Sequence, residues 1–206
     1  MTTFYCMRHG KTEFNHAGIF QGGLVDSPLL DEGIEYAKKA GTYLSDISFD
    51  RVVISPQQRA QDTAMAFLST HPSNPTKETI NGIREMEFGE WDGTLEASHE
   101  GHTQFEHLKY RPHLYDPTEF GGEDYNTLLE RATGVFEDLA KKYPNDTILV
   151  VSHGLTLQTV LKHYQGLPLS DFRKGEFLGN TSISIIETNA DTDFSVTSFN
   201  DITHTL

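Results

Sequence analysis

Two apolar runs of strand length, separated by most of the chain, end in the same dipeptide. Phe4-Tyr5-Cys6-Met7 leads into Arg8-His9-Gly10, and Ile148-Leu149-Val150-Val151 leads into Ser152-His153-Gly154. In open α/β sheets, ligands gather beyond the carboxyl ends of the strands. If the two runs pair as parallel neighbours, both imidazoles reach one edge of the sheet and face one pocket. A fold that satisfies this pattern has to bring two distant strand ends together.

The stretches between and around these runs alternate in the same style. Residues 3–7 read as a first strand. Residues 31–45 carry apolar positions at Ile34, Ala37, Ala40 or Gly41, and Leu44, a helical spacing, behind the turn chemistry of Asp26-Ser27-Pro28. Residues 51–55 form a second β-branched strand, and Ser55-Pro56 opens a helix over 57–68. A third strand is placed at 79–83. Residues 127–142 form a helix with Leu128, Leu129, Ala132, Val135, Phe136 and Leu139 on one face. A strand at 147–151 precedes His153, and a helix at 156–164 follows it. Strands at 181–187 and 194–199 close the chain, joined by a polar turn from Thr188 to Asp193. Residues 89–125 are irregular and rich in glycine, histidine, proline and aromatics. Their aromatic content marks an insertion rather than a linker. The expectation is one α/β domain over residues 1–206, with an inserted, cap-like segment at about 92–125.

Charge narrows the partners. A formal net charge of −14 speaks against nucleic acid and anionic membranes, both of which ask for a cationic face. An anionic substrate then needs a local cationic pocket set against a repulsive overall field. The single cysteine, Cys6, lies inside the first apolar run and reads as a buried core thiol. No signal-peptide pattern and no run of transmembrane length is present, so a cytoplasmic location is expected.

Four segments carry chemistry, in this order along the chain. The first is Met7-Arg8-His9-Gly10-Lys11-Thr12-Glu13-Phe14-Asn15, followed by Gln21-Gly22 and Asp26-Ser27-Pro28-Leu29. The second, Ser55-Pro56-Gln57-Gln58-Arg59-Ala60-Gln61-Asp62-Thr63, puts Arg59 in the first turns of a helix, where the terminus already favours anions. The third is Arg84-Glu85-Met86-Glu87-Phe88-Gly89-Glu90-Trp91-Asp92-Gly93, and the last is Ser152-His153-Gly154. In this order the four motifs resemble the histidine phosphatase, or phosphoglycerate-mutase-like, superfamily. The resemblance runs from residue 7 to 154 and extends to the tail Asn200-Asp201-Ile202-Thr203-His204.

The resemblance implies a three-layer α/β/α sandwich around a mostly parallel sheet with an antiparallel edge strand. It also implies that His9 is the nucleophile and carries a phosphohistidine, which requires an unprotonated attacking nitrogen. Arg8, Arg59 and His153 would surround the phosphoryl oxygens, the cationic clamp that phosphoryl transfer calls for. Glu85 matches the family's proton donor, a role that needs the carboxyl protonated before transfer. Asn15 would donate to the phosphate, with Gln21, Gly22 and Gly154 in the binding set. No metal ion and no cofactor is implied, and the partner would be a small phosphorylated metabolite.

Plainer readings apply to several neighbours. Arg84 reads as structural and Lys11 as a surface residue. His99, His102 and His107 lack a firm metal-ligand spacing and read as solvated or pocket-lining. The segment holding these three, with Lys109, Tyr110, Arg111, His113 and Tyr115, suits either an acidic or sugar-like group beside the phosphate or a solvated surface. The shorter chain and its Phe88-Gly89-Glu90-Trp91-Asp92-Gly93 point to the phosphatase branch. A cofactor-dependent mutase and a non-catalytic phospholigand-binding module are the alternatives. The oligomeric state stays open, a homodimer included.

Overall fold

Residues 148–151 are aliphatic without interruption, and such a strand needs cover on both faces. It lies in the middle of a six-stranded sheet in the computed structural model, which describes residues 1–189 and 193–206. The strands are β1 (Thr2–Arg8), β2 (Arg51–Ile54), β3 (Thr76–Thr79), β4 (Thr147–Ser152), β5 (Ile183–Thr188) and β6 (Phe194–Asp201). Their order is β3-β2-β4-β1-β5-β6. The β1–β4, β2–β4 and β2–β3 pairs are parallel, whereas β5 runs antiparallel to both β1 and β6.

Side chains alternate across this sheet, and each face has its own helices. Phe4 and Cys6 of β1 join Phe136 of α5 (Tyr125–Lys142) and Leu157, Val160 and Leu161 of α6 (Gly154–Tyr164) in one core. Met7 points the other way, with Ala40 of α2 (Asp31–Tyr43) and Ala60, Ala64 and Phe67 of α3 (Gln58–Leu68). Each fully buried large side chain contributes roughly 1.5–3 kcal/mol, so the two cores commit the chain to three layers. Two short helices, α1 (Glu13–Ala17) and α4 (Thr103–Tyr110), lie outside them.

Several boundaries differ from the expectation, the last two strands among them, which run 183–188 and 194–201. The third strand occupies 76–79, and residues 81–83 form a single 3-10 turn. Pairing with β2 runs from Arg51↔Thr76 to Ile54↔Thr79 and stops where β2 stops. Thr76-Lys77-Glu78-Thr79 is a polar edge strand, so it has no apolar signature to read. Helix α5 begins at Tyr125 because the Asp124 carboxylate accepts from the N–H groups of Asn126 and Thr127. Helix α6 begins at Gly154, directly after His153. The expected turn between the last two strands includes residues 190–192, which lie outside the described residues.

The irregular stretch packs on aromatics of its own. Trp91 stacks on Phe120 with ring centroids 4.0 Å apart. Phe20, Phe88, Phe105, Tyr115 and Tyr125 complete a third cluster, which Leu155 joins from the first turn of α6. This cluster sits against the end of the sheet where β4 hands over to α6.

Candidate active site

Register brings the two histidines together. Arg8 pairs with Ser152 across β1 and β4, so the residues that follow, His9 and His153, leave the sheet side by side. The His9 N–H donates to the Ser152 carbonyl at 2.9 Å. The two ring centroids are 5.2 Å apart. His9 Nδ1 lies 2.7 Å from the Gly10 carbonyl oxygen. A carbonyl only accepts, so Nδ1 holds the proton, and the neutral ring keeps its Nε2 lone pair for the cavity that His9 lines. Burial holds His9 well below the ordinary histidine range, and the Arg59 and Arg8 charges push it further the same way.

His153 is fully buried, with Nε2 2.6 Å from Ser55 Oγ. Its Nδ1 has no partner among the described residues. Burial first, then Arg59, His9 and Arg8, hold it well below the usual value too. Both rings are therefore neutral at pH 7. The guanidinium of Arg8 donates from Nη1 to the Leu178 carbonyl at 2.6 Å, while its Nε is buried without a partner. Burial pushes Arg8 down to about 10, which leaves it cationic at neutral pH.

Arg59 is 1% exposed and anchored on one side only. Nη1 donates to the Val25 carbonyl and pairs with Asp26 at 3.0 Å, and Nη2 donates to the carbonyls of Gln21 and Gly22. Its Nε is left unpartnered. Buried donors without partners are uncommon, because each costs about 1–3 kcal/mol unless something satisfies it. Among the described residues Arg8, Arg59 and Gln21 each leave such a nitrogen near His9, and His153 Nδ1 is a fourth when the Ser55 hydroxyl donates to Nε2. Arg59 and His153 do not themselves line the open cavity; they lie behind it.

Glu85 is buried against the start of α6. Its Oε1 accepts from the N–H groups of Met86 and Thr156, each at 3.0 Å, and lies 2.9 Å from the Thr156 hydroxyl. Oε2 accepts from the Leu155 N–H at 3.1 Å. The carboxyl thus caps a helix whose own N-cap residue, His153, supplies no side-chain bond. Its placement is held from behind by Arg131, which donates to the carbonyls of Gly82, Arg84 and Glu85 and pairs with Glu123.

The remaining predicted residues divide. Asn15 lines the cavity, and its Oδ1 accepts from Thr12 N–H and Asn180 Nδ2, which leaves the amide nitrogen to donate. Gln21 also lines it, with Oε1 taken by Thr12 and Ser27 and Nε2 free of partners. Gly154 lies at the cavity wall, where a Cβ would come within 3.0 Å of the Phe177 ring and 3.1 Å of Arg8 Nε. Gly22 does not line it. Its N–H is given to Asp92 and its carbonyl accepts from Arg59 and Gln57, so it helps to hold the Arg59 guanidinium in place.

The cavity holds about 260 Å³. Of the segment rich in histidine and lysine, only Glu96, Leu108 and Lys109 reach it. His99 stacks on Trp91, His102 caps α4, Tyr115 is core, and Tyr110 is exposed. No group of three histidine, cysteine or carboxylate residues able to hold a metal occurs among the described residues. Arg84 pairs with Glu87, and Lys11 pairs with Glu32 at the surface. No helix is long and apolar enough to cross a membrane among the described residues.

Several site residues escaped the sequence reading. Thr63 accepts from the Gly10 N–H, and Gln57 bridges Gly22 and Glu85 through its amide. Both sit inside the second motif, so the motif itself was the available signal. Thr156, Arg173, Phe177 and Asn180 follow His153, beyond any motif, and nothing in their spacing announced them.

Comparison with known proteins agrees with this geometry. A family model described as the histidine phosphatase superfamily (branch 1) matches residues 4–202. Phosphoserine phosphatase 1 of Hydrogenobacter thermophilus is 30% identical over 175 residues, covering 84% of this chain and 80% of that protein. Among solved structures, YhfR of Bacillus stearothermophilus superposes with a TM-score of 0.92 at 28% identity, over 100% of both chains. A phosphoserine phosphatase of Entamoeba histolytica, in complex with 3-phosphoglyceric acid, gives 0.85 at 27% identity, again over 100% of both chains.

Proposed function

This chain belongs to the histidine phosphatase superfamily, branch 1, and on that premise we propose that it is a metal-independent phosphatase hydrolysing small phosphomonoesters through a phosphohistidine on His9. Its relatives include phosphatases, which supports a hydrolase. The observation that carries the reading is the tautomer of His9. The Gly10 carbonyl holds the proton on Nδ1, and burial beside two guanidinium groups keeps Nε2 unprotonated, as a nitrogen nucleophile must be.

In the first half-reaction His9 Nε2 attacks phosphorus, the N–P bond forms and the ester O–P bond breaks. The free donors of Arg8, Arg59 and His153, with the Asn15 amide, take the equatorial oxygens. Glu85 gives its proton to the departing alcohol oxygen. Oε2 receives one backbone N–H, from Leu155, against two for Oε1, and we assign the proton transfer to this less occupied oxygen. In the second half-reaction Glu85 takes a proton from water, whose oxygen attacks phosphorus as the N–P bond breaks, and phosphate leaves. Residues 92–125 serve as a cap that bounds the alcohol side of the cavity.

The test is a panel of phosphomonoesters assayed with chelator present, beside 3-phosphoglycerate with and without its 2,3-bisphosphate. Phosphate release that survives chelation is expected. Isomerisation outpacing phosphate release would instead assign a mutase, and phosphate binding without turnover of any ester would assign a binding module.

A further inference from the structure

Away from the phosphate-facing donors, the cavity contains a second pair of cations, and the protein treats them differently. Lys109 is paired with Glu96 at 2.9 Å and rests over the Phe105 ring, so its charge is already answered. Arg173, from the stretch between α6 and β5, is not. No carboxylate pairs with it among the described residues, and its Nη1 is buried without a partner.

Its position is nevertheless held. The Arg173 guanidinium carbon lies 4.4 Å from the centroid of the Phe177 ring, and the same ring has the Arg8 guanidinium carbon at 5.5 Å. One aromatic side chain therefore carries the phosphate-end cation and a second, unanswered cation. Both line the same cavity of about 260 Å³. Much of the remaining wall is apolar, from Ile19, Phe20, Phe88, Leu108 and Leu155. An ester with a neutral alcohol part leaves the desolvated Arg173 donor without an acceptor. A carboxylate matches it, since the planar guanidinium donates two parallel bonds to that group.

We propose that Arg173 binds a carboxylate carried by the alcohol part of the substrate, so that the site selects phosphomonoesters of small hydroxy or amino acids. The proposal rests on the phosphatase reading for where the phosphate sits, with Arg8 at that end and Arg173 on the Phe177 ring beside it. Contact with Phe177 holds the guanidinium at the cavity before any ligand arrives, which limits the entropy lost on binding.

The test compares two non-hydrolysable probes by titration calorimetry: 2-carboxyethylphosphonate, and propylphosphonate, which lacks the carboxylate. The intact protein is expected to bind the first at least about tenfold more tightly. In Arg173→Gln the ratio between the two probes falls to near one, whereas Arg173→Lys keeps part of it by retaining charge without the fork. Thermal melts confirm that each variant is folded. A ratio near one in the unaltered protein, a ratio that persists in Arg173→Gln, or no binding of either probe overturns the proposal. Failure of the phosphatase reading shows separately, as absent phosphate release from every ester, while the phosphonate ratio still reports on Arg173.

Discussion

Mild acid is expected to destabilise this protein through His9 and His153. Both rings titrate well below the ordinary histidine value in the folded state, because burial and the neighbouring Arg59 and Arg8 charges oppose protonation. In the unfolded chain they titrate near 6.5, the ordinary value for histidine. Above that value both states are neutral and the two histidines leave stability unchanged. Below it the unfolded chain binds a proton at each ring that the folded chain refuses, so stability falls as pH falls. The limiting slope, reached where the folded rings stay neutral, is about 1.4 kcal/mol per pH unit for each histidine, or about 2.8 for the pair. At pH 5.5 the loss relative to pH 7.5 is therefore at most roughly 3 kcal/mol. For a chain of this length that is about 6–12 °C in melting temperature.

Urea unfolding between pH 5 and 8 measures this directly, in the unaltered protein and in His9→Asn and His153→Asn. Asparagine removes the titrating ring while other acid effects, including relief of the net charge of −14, remain in both arms. Each variant is expected to lose about 1.4 kcal/mol per pH unit of slope below pH 6.5. Identical slopes in all three proteins would refute the argument, because they would mean that both imidazoles accept protons in the fold as readily as outside it.

Three further outcomes follow from the site. Glu85→Gln is expected to cut kcat about 10²–10⁴-fold with a smaller change in phosphate affinity, read from steady-state kinetics beside phosphate titration. The same variant melts lower, since the amide places an N–H against one of the backbone N–H groups that the carboxyl accepts from at the start of α6; an unchanged melting curve contradicts the capping role. Gly154→Ala puts a methyl 3.1 Å from Arg8 Nε and against the Phe177 ring, so inhibition by inorganic phosphate weakens while the fold persists in circular dichroism. Cys6 is buried, and burial pushes its thiol far up, so alkylation under native conditions is negligible and becomes rapid only in denaturant; fast native labelling excludes its place in the core.

Local sequence was sufficient where the physics is local. The run 148–151 has apolar residues on both faces and so announces a central strand, and 127–142 shows its amphipathic face at helical spacing. The polar edge strand at 76–79 was illegible for the converse reason: its side chains are largely exposed, and only backbone pairing with β2 makes it a strand. His9, Glu85, Arg59 and His153 were legible as candidates because their motifs are contiguous.

What tertiary structure alone decided is which atoms remain free. The two His-Gly strand ends were visible in the sequence, but only the β1–β4 register makes them neighbours, and only the Gly10 carbonyl and Ser55 hydroxyl differentiate the two rings. Gly22 gives its carbonyl to Arg59, and Arg173, which gave no signal, lines the cavity with no carboxylate partner among the described residues. Hydrogen-bond satisfaction is a property of three-dimensional neighbours, 171 residues apart for Asn180 and His9, so no local pattern encodes it. The sequence by itself determined the apolar strands, the amphipathic helices and the reactive groups carried by contiguous motifs, and the packed sheet decided which of those groups have work left to do.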